Sequence, residues 1–160
     1  WAGADVFLSL HADALSGAQA RGLSVYTLSE SASDKASAAL AERHNRADML
    51  AGVDLSGKDD VVADVLMDQP RTAHLAQALI ESFAAHELPL LSRPLREAGF
   101  SVLKAPDIPS VLIELGFLSS PRDLARLRDE EGRARIAAAL RAALTAWRDA
   151  DAARAGLVRQ

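Results

Sequence analysis

The chain has 160 residues and a formal net charge of −4, from 18 basic and 22 acidic side chains mixed along its length. That size fits one domain with a substantial core, and the charge balance speaks against a nucleic-acid surface, which must neutralise several phosphates. The absence of cysteine removes disulfides, thiolate nucleophiles and Cys-based zinc sites, so any zinc must use His and carboxylates; no run approaches the roughly 18 apolar residues of a membrane span.

The first residues, W-A-G-A-D, carry neither the basic start nor the apolar core of a signal peptide. The chain then enters an apolar strand almost at once, as the interior of a larger protein would. Val6 to Ala14, V-F-L-S-L-H-A-D-A, ends this apolar run in an imidazole and a carboxylate. Strand alternation puts Leu8 and Leu10 on one face and Ser9, His11 and Asp13 on the other. A run apolar at both parities reads as a central strand, and ligand-binding groups in α/β sheets sit at the carboxyl ends of such strands. His11 is then either a hydrogen-bonded core histidine or a ligand.

Leu15 to Arg21 is a connection, and Gly22 to Leu28 has the alternation of a second strand. Ser31 or Ser33 is placed to cap a helix reaching about Leu50, with Ala36, Leu40, Ala47 and Leu50 as its apolar stripe. His44 lies on that stripe, as a satisfied core residue or as a ligand or regulatory group. Ala51 to Asp60 reads as a loop and Asp59 to Met67 as a short helix. Pro70 opens another helix over Arg71 to His86, buried through Leu75, Leu79, Ile80 and Phe83; His74 and His86 fall at its ends, where histidine is ordinary. Leu90 to Ala98 reads as irregular, its L-S-R-P-L-R facing solvent or a polymeric acidic ligand.

Gly99 to Leu103 is expected to be a short strand, followed by a proline-stiffened loop. In Ser110 to Leu118, S-V-L-I-E-L-G-F-L, Glu114 interrupts an apolar strand. A carboxylate there is costly unless it is paired, metal-bound or raised in pKa, or unless an edge position lets it face water. Ser120 and Pro121 form a helix entry, and a last helix spans about Glu131 to Arg148, with residues 151–160 expected to fray. The pattern predicts a three-layer α/β/α domain over residues 1–150, around a mostly parallel or mixed central sheet. Its strands are Val6 to His11, Leu23 to Leu28, Phe100 to Leu103 and Val111 to Glu114, with one or more N-terminal strands lacking. For one metal and one water to serve both, His11 and Glu114 must lie within about 12 Å.

Four stretches together resemble a known family: V-F-L-S-L-H-A-D-A, N-R-A-D-M-L-A-G-V-D-L, D-D-V-V-A-D-V-L-M-D and S-V-L-K-A-P-D-I-P-S-V-L-I-E-L-G-F-L-S-S-P-R-D. It is that of the zinc-dependent N-acetylmuramoyl-L-alanine amidases of bacterial cell separation, and the resemblance covers roughly positions 4 to 128. It implies hydrolysis of the bond between N-acetylmuramic acid and L-alanine in peptidoglycan, in the periplasm or another extracytoplasmic place. By this resemblance His11 matches a ligand of Zn2+ and Glu114 the catalytic glutamate, with Asp13 an orienting group or weak ligand. The family's other two ligands, a His and a Glu, precede the segment present here, so the chain alone is expected to be inactive and to bind zinc weakly. Residues 33–68 match a regulatory insertion whose helix occludes the zinc cleft until a LytM-domain activator draws it away. His44 stands where that helix commonly has Glu, and Glu42 lies two residues earlier on a different face. The alternative is a catalytically silent domain that binds peptidoglycan or an activator without cutting.

Overall fold

Two short apolar strands that run side by side and end at the same level set the architecture. The computed structural model describes residues 3–15, 20–50, 69–104 and 108–158. In it β1 (Phe7–His11) pairs parallel with β4 (Ser110–Glu114), which pairs antiparallel with β2 (Leu23–Leu28); β2 in turn pairs parallel with β3 (Leu90–Ala98), giving a mixed sheet of order β1-β4-β2-β3. The expected α/β/α layering holds. Alternation sends Leu23, Val25, Val111 and Ile113 to one face, where they pack with α2 (Gln69–Ala85) and α4 (Glu130–Val158). Tyr26 and Leu112 point to the other face, with Phe7 at its margin, against Leu40 and Ala41 of α1 (Lys35–Leu50). The intervening α3 (Pro121–Arg128) starts at Ser120, whose hydroxyl accepts from the Asp123 amide at 3.4 Å.

The third strand differs from expectation. Leu90 to Ala98 is not irregular but forms β3, while Ser101–Leu103 is a single 3-10 turn instead of a strand. Pro94 is tolerated because, among the described strands, β3 lies at a sheet edge and pairs with β2 alone; Leu23 opposes Leu90 while Val25 opposes Leu95, so extra residues of β3 bulge out between the two. In the 3-10 turn the Leu103 amide reaches the Phe100 carbonyl at 3.1 Å, bringing both apolar side chains into the core under α1.

The start of α1 is capped by Asp34, whose Oδ1 accepts from the Ser37 amide at 2.8 Å; Ser33 instead accepts from the Glu97 amide, at 2.7 Å. Its buried face is Ser37, Leu40, Ala41 and His44, so the stripe is rotated: Ala36 and Ala47 are exposed and Leu50 is 84% exposed. The last helix runs to Val158 rather than stopping near Arg148. Four alanines between residues 149 and 158 are strong helix formers, and Arg71 grips Asp151 with two bonds of 2.9 Å. The loop and short helix expected between Ala51 and Met67 lie outside the described residues, as does most of 33–68 beyond α1.

Candidate metal centre

Parallel pairing of β1 with β4 puts His11 directly opposite Glu114, at the carboxyl ends of both strands. Both fall on the parity that faces α1, as Ser9 and Leu112 do. From α1 comes His44, and ligand atoms of His11, His44 and Glu114 all lie within 4.8 Å of one another, well inside the separation one metal and one water require. The His11 and His44 rings meet edge-on with centroids 4.2 Å apart, and Phe100 closes the back of His44 at 5.8 Å. Ser9 Oγ is hydrogen-bonded to His11 Nε2 at 2.8 Å.

Asp13, the next residue on the His11 face, binds the helix rather than completing the triad. His44 Nε2 donates to its Oδ2 at 2.6 Å, Arg43 stands 3.6 Å from the same oxygen, and Arg43 also donates to the Ala14 carbonyl. The Asp13 amide donates to Glu114 Oε2 at 3.2 Å. Glu114 is fully buried, and its other oxygen, Oε1, has no hydrogen-bond partner; His44 Nε2 is the nearest cation at 3.7 Å. A buried carboxylate oxygen left unpaired is costly, and an ion is one of the few ways to satisfy it.

Electrostatics follow from this packing. Burial pushes the Glu114 carboxyl up, the neighbouring His44 imidazole offsets part of that, and the net direction is raised. Burial would lower His44, but its hydrogen bond to Asp13 and the nearby carboxylates of Asp13 and Glu114 outweigh it and raise the imidazole to about 9. Burial likewise opposes ionisation of Asp13, yet hydrogen bonds with His44 and Glu114 and the charges of His44 and Arg43 bring it down to about 2. His11 is lowered, by burial and then by the His44 charge. At neutral pH His44 is therefore an imidazolium seated on a carboxylate, and His11 is neutral.

Two imidazoles and a carboxylate are a donor set that suits zinc, and the orphaned Oε1 fits a cation. His44 must give up its proton to join such a site, so metal and proton compete there. Glu42, by contrast, is exposed and ion-paired to Arg46 at 2.6 Å on the outer face of α1. His74 is exposed, and His86 donates through Nδ1 to the Ser82 carbonyl at 2.8 Å; neither joins the cluster. Sequence reasoning did not foresee the His44–Asp13 bond, nor Asn45, which pins α1 by donating to the Gly99 carbonyl and accepting from the Ser101 amide, both at 2.8 Å.

A family profile described as N-acetylmuramoyl-L-alanine amidase matches residues 2–146. The chain is 38% identical over 146 residues to N-acetylmuramoyl-L-alanine amidase AmiA of Escherichia coli (strain K12), covering 86% of this chain and 50% of that protein. It is 39% identical over 140 residues to N-acetylmuramoyl-L-alanine amidase AmiC of Neisseria meningitidis serogroup B, covering 84% of this chain and 33% of that one. The chain thus spans half or less of the length of these relatives. Among solved structures, the CwlD amidase of Clostridioides difficile, in complex with the GerS lipoprotein, superposes with a TM-score of 0.63 at 19% identity over 93% of this chain and 57% of that one. The amidase Ami1 of Mycobacterium smegmatis gives a TM-score of 0.60 at 20% identity over 89% and 53%. At these identities the structural likeness speaks for the fold alone.

Proposed function

Because the chain belongs to the N-acetylmuramoyl-L-alanine amidase family, we propose that the protein hydrolyses the amide between N-acetylmuramic acid and L-alanine in peptidoglycan, remodelling the wall during daughter-cell separation. The observation that carries this reading is the pairing of His11 with Glu114 at the ends of adjacent parallel strands, with one oxygen of the buried carboxylate free to take a proton. His11 would hold Zn2+ together with the family's other ligands. Bound there, zinc would supply Lewis acidity toward the scissile carbonyl and the attacking water. Glu114 takes the proton of that water and passes it to the departing amine of L-alanine; its buried strand suits this, since burial raises the carboxyl toward neutrality. Such a substrate places the protein in the periplasm or elsewhere outside the cytoplasm; among the described residues no helix is long and apolar enough to cross a membrane.

In the closed arrangement His44 stands beside both groups and α1 shuts the cleft. Asp13 and Arg43 fasten that helix. We read residues 33–68 as the regulatory insertion and a LytM-domain protein as its activator, which needs only to bind the open state better than the closed one. The half-buried His44–Asp13 pair also favours a second reading, a silent domain that binds the wall or an activator without cutting. Product analysis separates the two: the zinc-loaded full-length protein should release stem peptides with a free L-alanine amine from purified peptidoglycan, and more of them when His44→Ala loosens α1. Wall binding with no new L-alanine amine, with or without a LytM-domain protein, would leave the silent reading standing.

A further inference from the structure

Asp123 lies in the first turn of α3, at a position that reads as an ordinary helix-start residue, yet it is 1% exposed. Its Oδ2 accepts from the amides of Gly22, at 2.9 Å, and Phe117, at 3.0 Å, while Oδ1 pairs with Arg126 at 3.0 Å. Arg126 in turn donates to the Leu115 carbonyl at 3.1 Å. The carboxylate and its guanidinium therefore hold the loop Leu115 to Leu118, directly after Glu114, from one side. From its other side the loop reaches the site: the Leu115 amide donates to the His11 carbonyl at 2.9 Å and the Leu118 amide to the Asp13 carbonyl at 2.7 Å.

We propose that Asp123 is the positioning residue of this site, holding through the Leu115–Leu118 loop the relative places of Glu114, His11 and Asp13. The loop is built for close approach. Gly116 has φ of +143°, and a Cβ there would stand 2.8 Å from Arg126 Nη2 and 3.0 Å from Asp123 Cβ. Gly22, whose amide Asp123 also binds, directly precedes β2, so the same carboxylate joins the start of β2 to the loop after β4 at the one end of their antiparallel pairing where Ser24 opposes Glu114. Asp123 reaches two backbone amides and the Arg126 guanidinium, and touches neither the His11 nor the Glu114 side chain, which is what a positioning role requires: it sets where their strands end.

This inference rests on the metal-site reading above, and its test keeps the two apart. Asp123→Leu, of similar shape and without acceptors, is compared with Asp123→Asn, which keeps an acceptor for the two amides, and with Leu75→Ala, a truncation in the α2 core. The readouts are hydrogen exchange at the Asp13, Leu115 and Leu118 amides and zinc affinity by competition with a chromogenic chelator, both on the full protein. Asp123→Leu should speed exchange at all three amides and weaken zinc binding about tenfold, the size seen when groups supporting a metal site are removed. Asp123→Asn should recover most of both, and Leu75→Ala should leave zinc affinity unchanged. In the zinc-loaded enzyme the loss should appear in kcat with KM for a soluble muropeptide unaltered. If Asp123→Leu does not fold, Gly116→Ala displaces the same loop and should weaken zinc binding in the same direction. Unchanged exchange and zinc affinity in a folded Asp123→Leu or Gly116→Ala variant would overturn the proposal, as would an equal loss of affinity in Leu75→Ala. Should the unaltered protein bind no zinc, the metal-site reading fails and the exchange pattern alone decides the positioning role.

Discussion

Replacing Asp13 by Asn and His44 by Gln, singly and together, isolates the bond that seats α1 on the site. The fall of the Asp13 carboxyl from 3.8 to about 2 corresponds to about 2 kcal/mol of stability in the metal-free protein. The rise of His44 from 6.5 to about 9 is larger, but His44 also gains from Glu114, and Asp13 from Glu114 and Arg43, so about 2 kcal/mol bounds the pair from above. The signs fix the window. A raised His44 contributes fully below its unfolded 6.5 and loses that contribution as pH climbs through about 9; a lowered Asp13 contributes above its unfolded 3.8 and loses it as pH falls through about 2. Urea unfolding of the four proteins with chelator present should therefore give a clearly favourable coupling energy of up to about 2 kcal/mol near pH 6, shrinking to a few tenths at about pH 10. Glu114, raised by burial, also feels His44 and Asp13, so part of its shift enters the same coupling. A coupling near zero at pH 6, or one that persists unchanged at pH 10, would refute the closed arrangement of His44 on Asp13.

Two further perturbations probe the scaffold. Phe83→Ala empties a fully buried site between α2, α4 and the sheet and should cost about 3–5 kcal/mol by the same urea measurement, where a loss below about 1 kcal/mol would contradict that packing. Asp34→Ala removes both the α1 cap and the Arg96 partner at 2.7 Å; a loss of about 1 kcal/mol with the His11–His44 contact retained in NMR spectra is expected, and no loss would deny the cap.

The two strand-borne site residues were legible because each is polar within an apolar run, where only a special partner justifies it. The parallel register that sets His11 beside Glu114 is a tertiary fact, yet the shared level of two strand ends follows from the α/β pattern. His44 stood on an apolar helix stripe, but its bond to Asp13, across 31 residues, depends on how α1 docks and is invisible to periodicity. Strand β3 escaped because edge strands shed the apolar alternation that marks interior ones, and its L-S-R-P-L-R reads as irregular. Phe100 and Leu103 looked like a strand because a 3-10 turn also buries apolar residues a few positions apart. Asp123 gave no signal at all, since an acidic residue in a first helical turn is commonplace, and its two backbone partners lie in different loops.

The account turns on His11 and Glu114 sharing one hydrolytic site. Its most direct test is the turnover of zinc-loaded full-length protein on purified peptidoglycan, unaltered against Glu114→Gln, with zinc content measured on both. Glutamine keeps the shape and removes the proton acceptor, so the variant should retain zinc and lose activity by about 10²–10⁴-fold. A Glu114→Gln protein that holds zinc and cleaves at the unaltered rate would contradict it.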